Sequence, residues 1–222
     1  KLIRNNISFG VCAARNKLIE EQIKWNTRVN LCFRMDDDVI LQNDYIFDLL
    51  QVIEMGYDMA SGVVPHIAVP EMKREIKFVG EIINEHKLDQ EGNLIQNNDD
   101  CGFSYLDYFI IPTHQFRTNC LYKSFIHQKI KYEPNLSTVG FREEGFFSFR
   151  AILNGWFIGV NTKAVAYHLQ CPSGGVRCGN YAENVKLDDE TFRKWIKEMF
   201  EKHGDFLTKY NETLKEKGLV KS

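Results

Sequence analysis

Three features are missing from this chain of 222 residues, and each absence excludes a class of protein. No apolar run approaches the roughly 20 residues that a membrane-spanning helix needs. The formal net charge is -2, so the basic field that holds nucleic-acid phosphates is absent and no nucleic-acid partner is expected. No internal repeat or low-complexity segment is present, and the length suits one globular domain or a domain with an appendage.

The six cysteines form no tight framework, and no second Cys/His pair completes a zinc pattern. Scattered cysteines in a chain of this size are typical of buried, reduced thiols, which indicates a cytoplasmic setting. Cys171 and Cys178 flank a glycine-rich loop in "CPSGGVRC", where pairing or metal binding is the alternative. The chain opens with Lys1 rather than Met, so we expect its natural start, with any targeting signal, to lie upstream.

The first part of the chain alternates between helical and strand patterns. Apolar spacing predicts a helix over residues 10–25, a strand over 27–35, a helix over 43–56 and a strand over 58–65. The second helix should bury Ile46, Leu49, Leu50 and Ile53. This succession predicts an α/β domain with a mostly parallel sheet and flanking helices.

Later segments predict additions to this domain. The pattern of residues 73–112 predicts extended segments joined by a turn at 91–93, and therefore an inserted β region. A helix follows over residues 143–155, and a strand pair over 157–169 delivers His168. We divide the chain into a domain at 1–186 and an amphipathic helical tail at 187–222, which packs on its own domain or forms a homodimer. Trp and Phe beside lysines in the tail leave a peripheral membrane location as the alternative.

Three consecutive aspartates stand out in "FRMDDDVILQND". Residues i and i+2 of an extended segment point the same way, so Asp36 and Asp38 should converge while Asp37 points elsewhere. Carboxylates at a strand end suit a hard cation such as Mg²⁺ or Mn²⁺. The alternative is a solvated acidic turn that caps the next helix. Arg34, just before the aspartates, is either the partner of Asp37 or a diphosphate contact.

A second acidic pair lies far along the chain in "FREEGFFSFRAILNGW". Glu143 and Glu144 fall at a predicted helix start, where the dipole favours ionised carboxylates. Simple helix-start chemistry is the alternative. Arg150 lies about two turns further on, so we expect it to pair elsewhere. His168 follows an apolar strand in "AYH", where a structural role is the alternative to a ligand.

Together these segments resemble the inverting GT-A glycosyltransferases of family 2, from Asn6 to about Arg177. "NNISFGVCAARNKLIE" is similar to the family's Ala-Arg-Asn segment, and "FRMDDDVILQNDYI" to its DxD strand and following helix. "FREEGFFSFRAILNGW" resembles its acidic helix, and "AYH" its late histidine segment. The resemblance implies a GT-A-like, Rossmann-like fold. It also implies transfer of a sugar from a nucleotide-diphosphate sugar to an acceptor hydroxyl with inversion.

The resemblance also implies roles for individual residues. A divalent cation, Mn²⁺ or Mg²⁺, would be held by Asp38, Asp36 and His168. The nucleotide would contact Arg15, Asp36, Asp37 and Arg177, with Arg15 either near the nucleotide or bracing the DxD loop. Glu144 would be the catalytic base and Glu143 would help to bind the acceptor, which is a glycan, a lipid-linked molecule or a protein.

Three departures from the family pattern accompany this resemblance. The family's first strands have no counterpart, so we expect either a truncated sequence or an atypical domain. The base position holds glutamate where aspartate is usual, and Arg34 interrupts the strand before the aspartates. Two other functions stay open: a degenerate GT-A domain that binds a glycan or partner, and a nucleotidyltransferase, although no glycine-rich nucleotide loop lies near the start.

Overall fold

A computed structural model describes residues 10–25, 28–64, 110–116, 119–169 and 179–219, and the backbone of two strands between residues 85 and 97. Its helices are α1 (Val11–Trp25), α2 (Tyr45–Glu54), α3 (Phe125–Lys129), α4 (Glu143–Leu153), α5 (Tyr181–His203) and α6 (Phe206–Glu216). Its strands are β1 (Leu31–Arg34), β2 (Val39–Leu41), β3 (Met59–Val63), β4 (Glu85–Leu88), β5 (Leu94–Asn97), β6 (Ile110–Pro112), β7 (Cys120–Lys123) and β8 (Ile158–His168).

The main sheet is mixed, in the order β1-β7-β3-β8-β2, with β6 also paired to β8. The predicted combination of helices and a sheet is therefore confirmed, but the prediction of a mostly parallel sheet is wrong. Among the described strands only β3 and β8 pair in parallel, and the other pairs of this sheet are antiparallel. The pairs of β2 and β6 with β8 are antiparallel, and so are both pairs of β7, which the sequence patterns did not reveal. It lies between β1 and β3 and runs antiparallel to both.

Strand β8 is one continuous strand of 11 residues rather than the predicted pair. Its first half pairs with β6, its pairing with β3 extends from Ile158 to Val165, and its end pairs with β2, so that Val39 lies opposite His168. A second contact at this end is the bond from the Leu169 amide to the Asp38 carbonyl at 2.9 Å. The short strand β2 thus fixes the segment that follows the aspartates against the end of β8.

The inserted β region is confirmed as far as the structure describes it. Strands β4 and β5 form an antiparallel hairpin, whereas the predicted turn at residues 91–93 lies outside the described residues. Strand β6 is the described end of the next predicted strand, and it joins the main sheet.

The predicted buried face of α2 is confirmed at Leu49, and Leu50 and Ile53 pack partly buried against the core, but the prediction is wrong for Ile46. Tyr45, Leu49 and Val52 are buried, whereas Ile46 is 37% exposed. The buried residues follow the i, i+4, i+7 spacing that places one stripe against the sheet. Ile46 begins one position after that stripe and consequently faces away from the core.

The two C-terminal helices complete the core of the chain itself. The predicted apolar stripe is buried in the same hydrophobic core as the sheet, through Phe192, Ile196, Phe206, Leu207, Tyr210 and Leu214. Phe192 stacks on Phe149 of α4, with ring centroids 5.7 Å apart. Helix α5 begins at Tyr181, before the predicted tail, and ends at Gly204, whose φ of 67° suits glycine. Within the described chain, no helix combines the length and apolar character needed to span a bilayer.

Candidate active site

The three aspartates lie in the connection between β1 and β2. The Asp36 and Asp38 side chains are 23% and 28% exposed, whereas Asp37 faces solvent. The predicted separation of Asp37 from the other two is observed, although Asp37 and Asp38 lie in a turn rather than in the extended segment that the i, i+2 rule assumes. Asp36 and Asp38 therefore lie near each other and Asp37 stands apart from them.

His168 joins these two aspartates from the end of β8. Its Nε2 lies 2.9 Å from Oδ1 of Asp38, and the imidazole is 12% exposed. Asp36, Asp38 and His168 each offer one ligand atom, and the three atoms lie within 4.8 Å of one another. Two carboxylates and an imidazole are donors that suit Mn²⁺ or Mg²⁺, so this group fits a divalent cation.

Arg15 of α1 reaches into the same place. Its Nη2 lies 2.7 Å from Oδ1 of Asp36, it also forms an ion pair with Glu143, and its guanidinium lies 5.4 Å from the ring centre of Tyr132. Burial raises the pKa of Asp36, and Arg34 and Arg15 offset only part of that rise. Because Asp36 is paired with Arg15, it is less available to a metal ion than Asp38 and His168 are.

Arg34 is the cation at the centre of the cluster. Its side chain is 6% exposed, and Nη2 lies 2.5 Å from Oε1 of Glu143 and 3.0 Å from Oε1 of Glu144. Asp36 Oδ1 is 3.6 Å from the same nitrogen. Burial acts to lower the pKa of Arg34, but the electrostatic interactions with Tyr132, Glu144 and Asp36 outweigh burial and raise it. Arg34 thus connects the aspartates with the glutamates and does not pair with Asp37.

The two glutamates at the start of α4 differ in access. The Glu143 side chain is 5% exposed and contacts both Arg15 and Arg34, whereas Glu144 is 22% exposed and bonds Arg34 alone. Burial acts to raise the pKa of Glu144, but Arg34 and then Arg15 outweigh it, so the pKa is lowered and the group is ionised at neutral pH. Glu144 is the glutamate that a bound molecule can reach.

Tyr132 is a site residue that the sequence patterns missed. Its ring stacks on Phe147 at 4.6 Å between centroids, and the Arg34 guanidinium lies 5.8 Å from its centre. Burial raises the pKa of Tyr132 to about 12, so the phenol is neutral at neutral pH. A tyrosine in an irregular segment carries no periodic signal, so only the folded chain reveals this position.

Two other predicted participants lie elsewhere. Arg150 bonds the Lys131 carbonyl at 2.7 Å and pairs with Glu133, away from the glutamate pair, as the helix spacing predicts. Arg177, Cys171 and Cys178 lie outside the described residues. The structure therefore brings together Arg15, Asp36, Asp38, Glu143, Glu144 and His168, and adds Arg34 and Tyr132.

Comparisons with known proteins place the chain in no family. No protein-family model matches it, and no curated protein matches it either. The crystal structure of A197 from STIV aligns with 77% of this chain and 71% of that chain, at 14% identity and a TM-score of 0.46. A likeness at this level does not assign a function.

Proposed function

We propose that the chain is a metal-dependent glycosyltransferase with a GT-A-like fold, which moves a sugar from a nucleotide-diphosphate sugar to an acceptor hydroxyl with inversion. The observation that supports this proposal is the meeting of two acidic groups from distant parts of the chain. Asp36 is grouped with Asp38 and His168, and Arg34 connects Asp36 with Glu143 and Glu144. The group of two aspartates and a histidine suits the binding of a metal ion and a diphosphate, and the pair of glutamates suits the acceptance of a proton.

On the donor side, Asp38 and His168 would hold Mn²⁺ or Mg²⁺, and a bound cation neutralises the charge that develops on a departing diphosphate. Arg15 holds Asp36 at 2.7 Å, which fixes one carboxylate oxygen and leaves the other for a hydroxyl or amide of the nucleotide. Fixing the donor in this way contributes to the rate by orientation.

On the acceptor side, Glu144 accepts the proton of the attacking hydroxyl. The group is partly exposed and ionised, so a hydroxyl can reach a carboxylate that is able to accept its proton; the pairing with Arg34 that lowers its pKa also makes it a weaker base. Glu143 is almost fully buried and contacts two arginines. We therefore assign Glu143 to the support of Arg15 and Arg34 rather than to acceptor binding.

One observation favours a second function, a domain that binds a glycan or partner without turnover. Asp36, Glu143 and Glu144 are already paired with arginines inside the chain, so their charges are balanced whether or not the site catalyses a reaction.

The acceptor of a transferase would be a glycan, a lipid-linked molecule or a protein. The free thiols of Cys12, Cys32 and Cys120 support a reducing compartment, and we place the protein in the cytoplasm.

The experiment is a thermal-shift titration with UDP-, GDP- and dTDP-sugars, with and without Mn²⁺. We expect one nucleotide class to stabilise the chain only when the metal is present, because ligand that binds the native state raises its stability. Asp38→Asn should abolish this joint effect, and Asp37→Asn, which changes an exposed neighbour, is the matched control. Stabilisation by none of the donors, or by glycans alone, would contradict the transferase.

A further inference from the structure

The loop at residues 137–142 leads directly into the Glu143–Glu144 helix start. On one side it touches the beginning of α1, where the Val11 amide donates to the Thr138 carbonyl at 3.2 Å. A Cβ atom at Gly10 would lie 2.9 Å from the Thr138 Cα, so the two backbones approach closely. Because α1 also carries Arg15, this side of the loop is fixed relative to the candidate site.

On its other side the loop is held by Asp188 of α5, which is fully buried. One carboxylate oxygen accepts from the Ser137 amide at 2.6 Å, and the other accepts from the Ser137 hydroxyl and from the Phe141 amide, both at 2.8 Å. A buried carboxylate is stable only when hydrogen bonds replace its lost hydration. Asp188 therefore ties both ends of the loop to α5.

The neighbouring Asp189 holds the last residue before α4. Its Oδ1 accepts from Nε of Arg142 at 2.7 Å, and its Oδ2 accepts from Arg193 at the same distance. Arg142 has a φ of 69°, the only positive φ of a non-glycine residue among the described residues. This conformation is unfavourable for an L residue, so the backbone turn into α4 needs outside contacts to persist.

We propose that Asp188 and Asp189 are positioning residues, which hold residues 137–142 and thereby place Glu144 beside Arg34. The consequence for turnover rests on the proposed function, whereas the effect on the helix start does not. Helix α5 lies beyond the segments that carry the family resemblance, so its contribution to the site belongs to this chain's own C-terminal region. A displacement of about 1 Å at a catalytic group is enough for a large loss of rate.

The test uses the full chain with Asp188→Asn and Asp189→Asn. Asp189 is partly exposed, so its variant keeps the test available should Asp188→Asn fold poorly. Asp58→Asn is the matched control, because Asp58 also accepts a backbone amide, that of Phe157 at 3.0 Å, but serves the sheet instead of the loop. Three quantities are measured: amide hydrogen exchange, Mn²⁺ affinity by electron paramagnetic resonance, and turnover of whichever donor stabilises the chain.

In both aspartate variants we expect exchange to rise at least about tenfold over residues 137–146 and to stay unchanged in β8, since local opening is confined to the released segment. The fall in kcat should be about tenfold or more, and Mn²⁺ affinity and the donor KM should change less than kcat, because Asp38 and His168 lie outside the released segment whereas Glu144 lies within it. Asp58→Asn should show neither the local exchange nor the kcat effect.

Exchange over residues 137–146 that rises no more than in Asp58→Asn would overturn the proposal. A raised exchange with unchanged kcat would also overturn it, since the loop would then not govern Glu144. If exchange rises as expected but the wild-type chain turns over no donor, the positioning of the helix start is supported and the proposed function alone fails.

Discussion

Replacing Arg34 with methionine tests the electrostatic basis of the site. The Arg34 guanidinium contacts Glu143 at 2.5 Å and Glu144 at 3.0 Å, and its carbon Cζ lies 5.3 Å from the ring centre of Phe116. Methionine keeps an unbranched apolar stem against the rings but leaves the carboxylates without this cation. The perturbation therefore separates charge from packing.

The magnitude follows from the burial of the network. Removing one partner of a buried ion pair costs about 3–5 kcal/mol. Arg15 still contacts Glu143, and Glu144 is 22% exposed, so we expect the lower end of this range. A loss of about 3 kcal/mol in the free energy of unfolding should lower Tm by about 6–12 °C for a domain of this size. Urea unfolding and a thermal scan measure the two quantities.

The pH dependence supplies a second, independent check. Burial acts to raise the pKa of Glu144 in the folded chain, but Arg34, the largest of the opposing causes, helps to bring it below its ordinary value of 4.5. The stability that this shift contributes is complete above the ordinary pKa and is lost as the pH falls through the folded pKa. The difference in the free energy of unfolding between wild type and Arg34→Met should therefore be largest near pH 7 and small at about pH 3.

Two results would refute this reasoning. A loss below about 1 kcal/mol would show that the pairs behave like surface ion pairs. A gap that stays constant as the pH falls would show that packing, not charge, accounts for the loss. Arg34→Lys is the matched control. The double variant with Arg34→Met and Glu144→Gln should lose less free energy of unfolding than the sum of the two single variants, because the two residues are in contact.

The remaining predictions concern the metal ligands, the sheet and the tail. Asp38→Asn should weaken Mn²⁺ binding by about 10-fold or more, whereas Asp37→Asn should leave it unchanged, as isothermal titration would show. Gly62→Ala should cost about 3 kcal/mol or more in urea unfolding, because its Cβ would lie 2.3 Å from the Ala164 carbonyl oxygen; equal stability would contradict the close approach of β3 and β8. A chain ending at residue 186 should be insoluble, because it lacks the buried Phe192 and Ile196, and a soluble, folded product would contradict this. The intact chain should not co-sediment with anionic vesicles at physiological salt, since acidic residues balance the lysines of the tail; tight binding would overturn this.

The sequence predicted most helices and the alternation around the aspartates because these depend on local periodicity. Strand β7 is different: "CLYK" is too short for a pattern, and its place between β1 and β3 is decided by pairing with distant strands. Without β7, the sequence could not show that the strand between β1 and β3 runs antiparallel to both. Strand β2, only three residues long, was hidden for the same reason, and it fixes Asp38 next to His168.

At the site, types of residue were predictable but their pairings were not. Arg34 was recognisable as an unusual charge in an apolar strand, and the sequence offered Asp37 as its partner because the two are close in the chain. In the fold its partners come from α4, more than one hundred residues away. The buried Asp188 did carry a signal, because it lies four and eight residues before Phe192 and Ile196 and so shares the apolar face of α5, although an aspartate on a helix usually faces solvent.

Nucleoside-diphosphate release is the measurement that tests the proposed transferase most directly. The donor that stabilises the chain with Mn²⁺ is incubated, together with glycan, lipid-linked and protein acceptors, with the wild-type protein, with Glu144→Gln and with Asp38→Asn. We expect metal-dependent release by the wild type, donor binding without release by Glu144→Gln, and neither binding nor release by Asp38→Asn. Binding without release by the wild type would contradict the proposal and leave a binding domain in its place, and equal release by Glu144→Gln would contradict the role of Glu144 as the base.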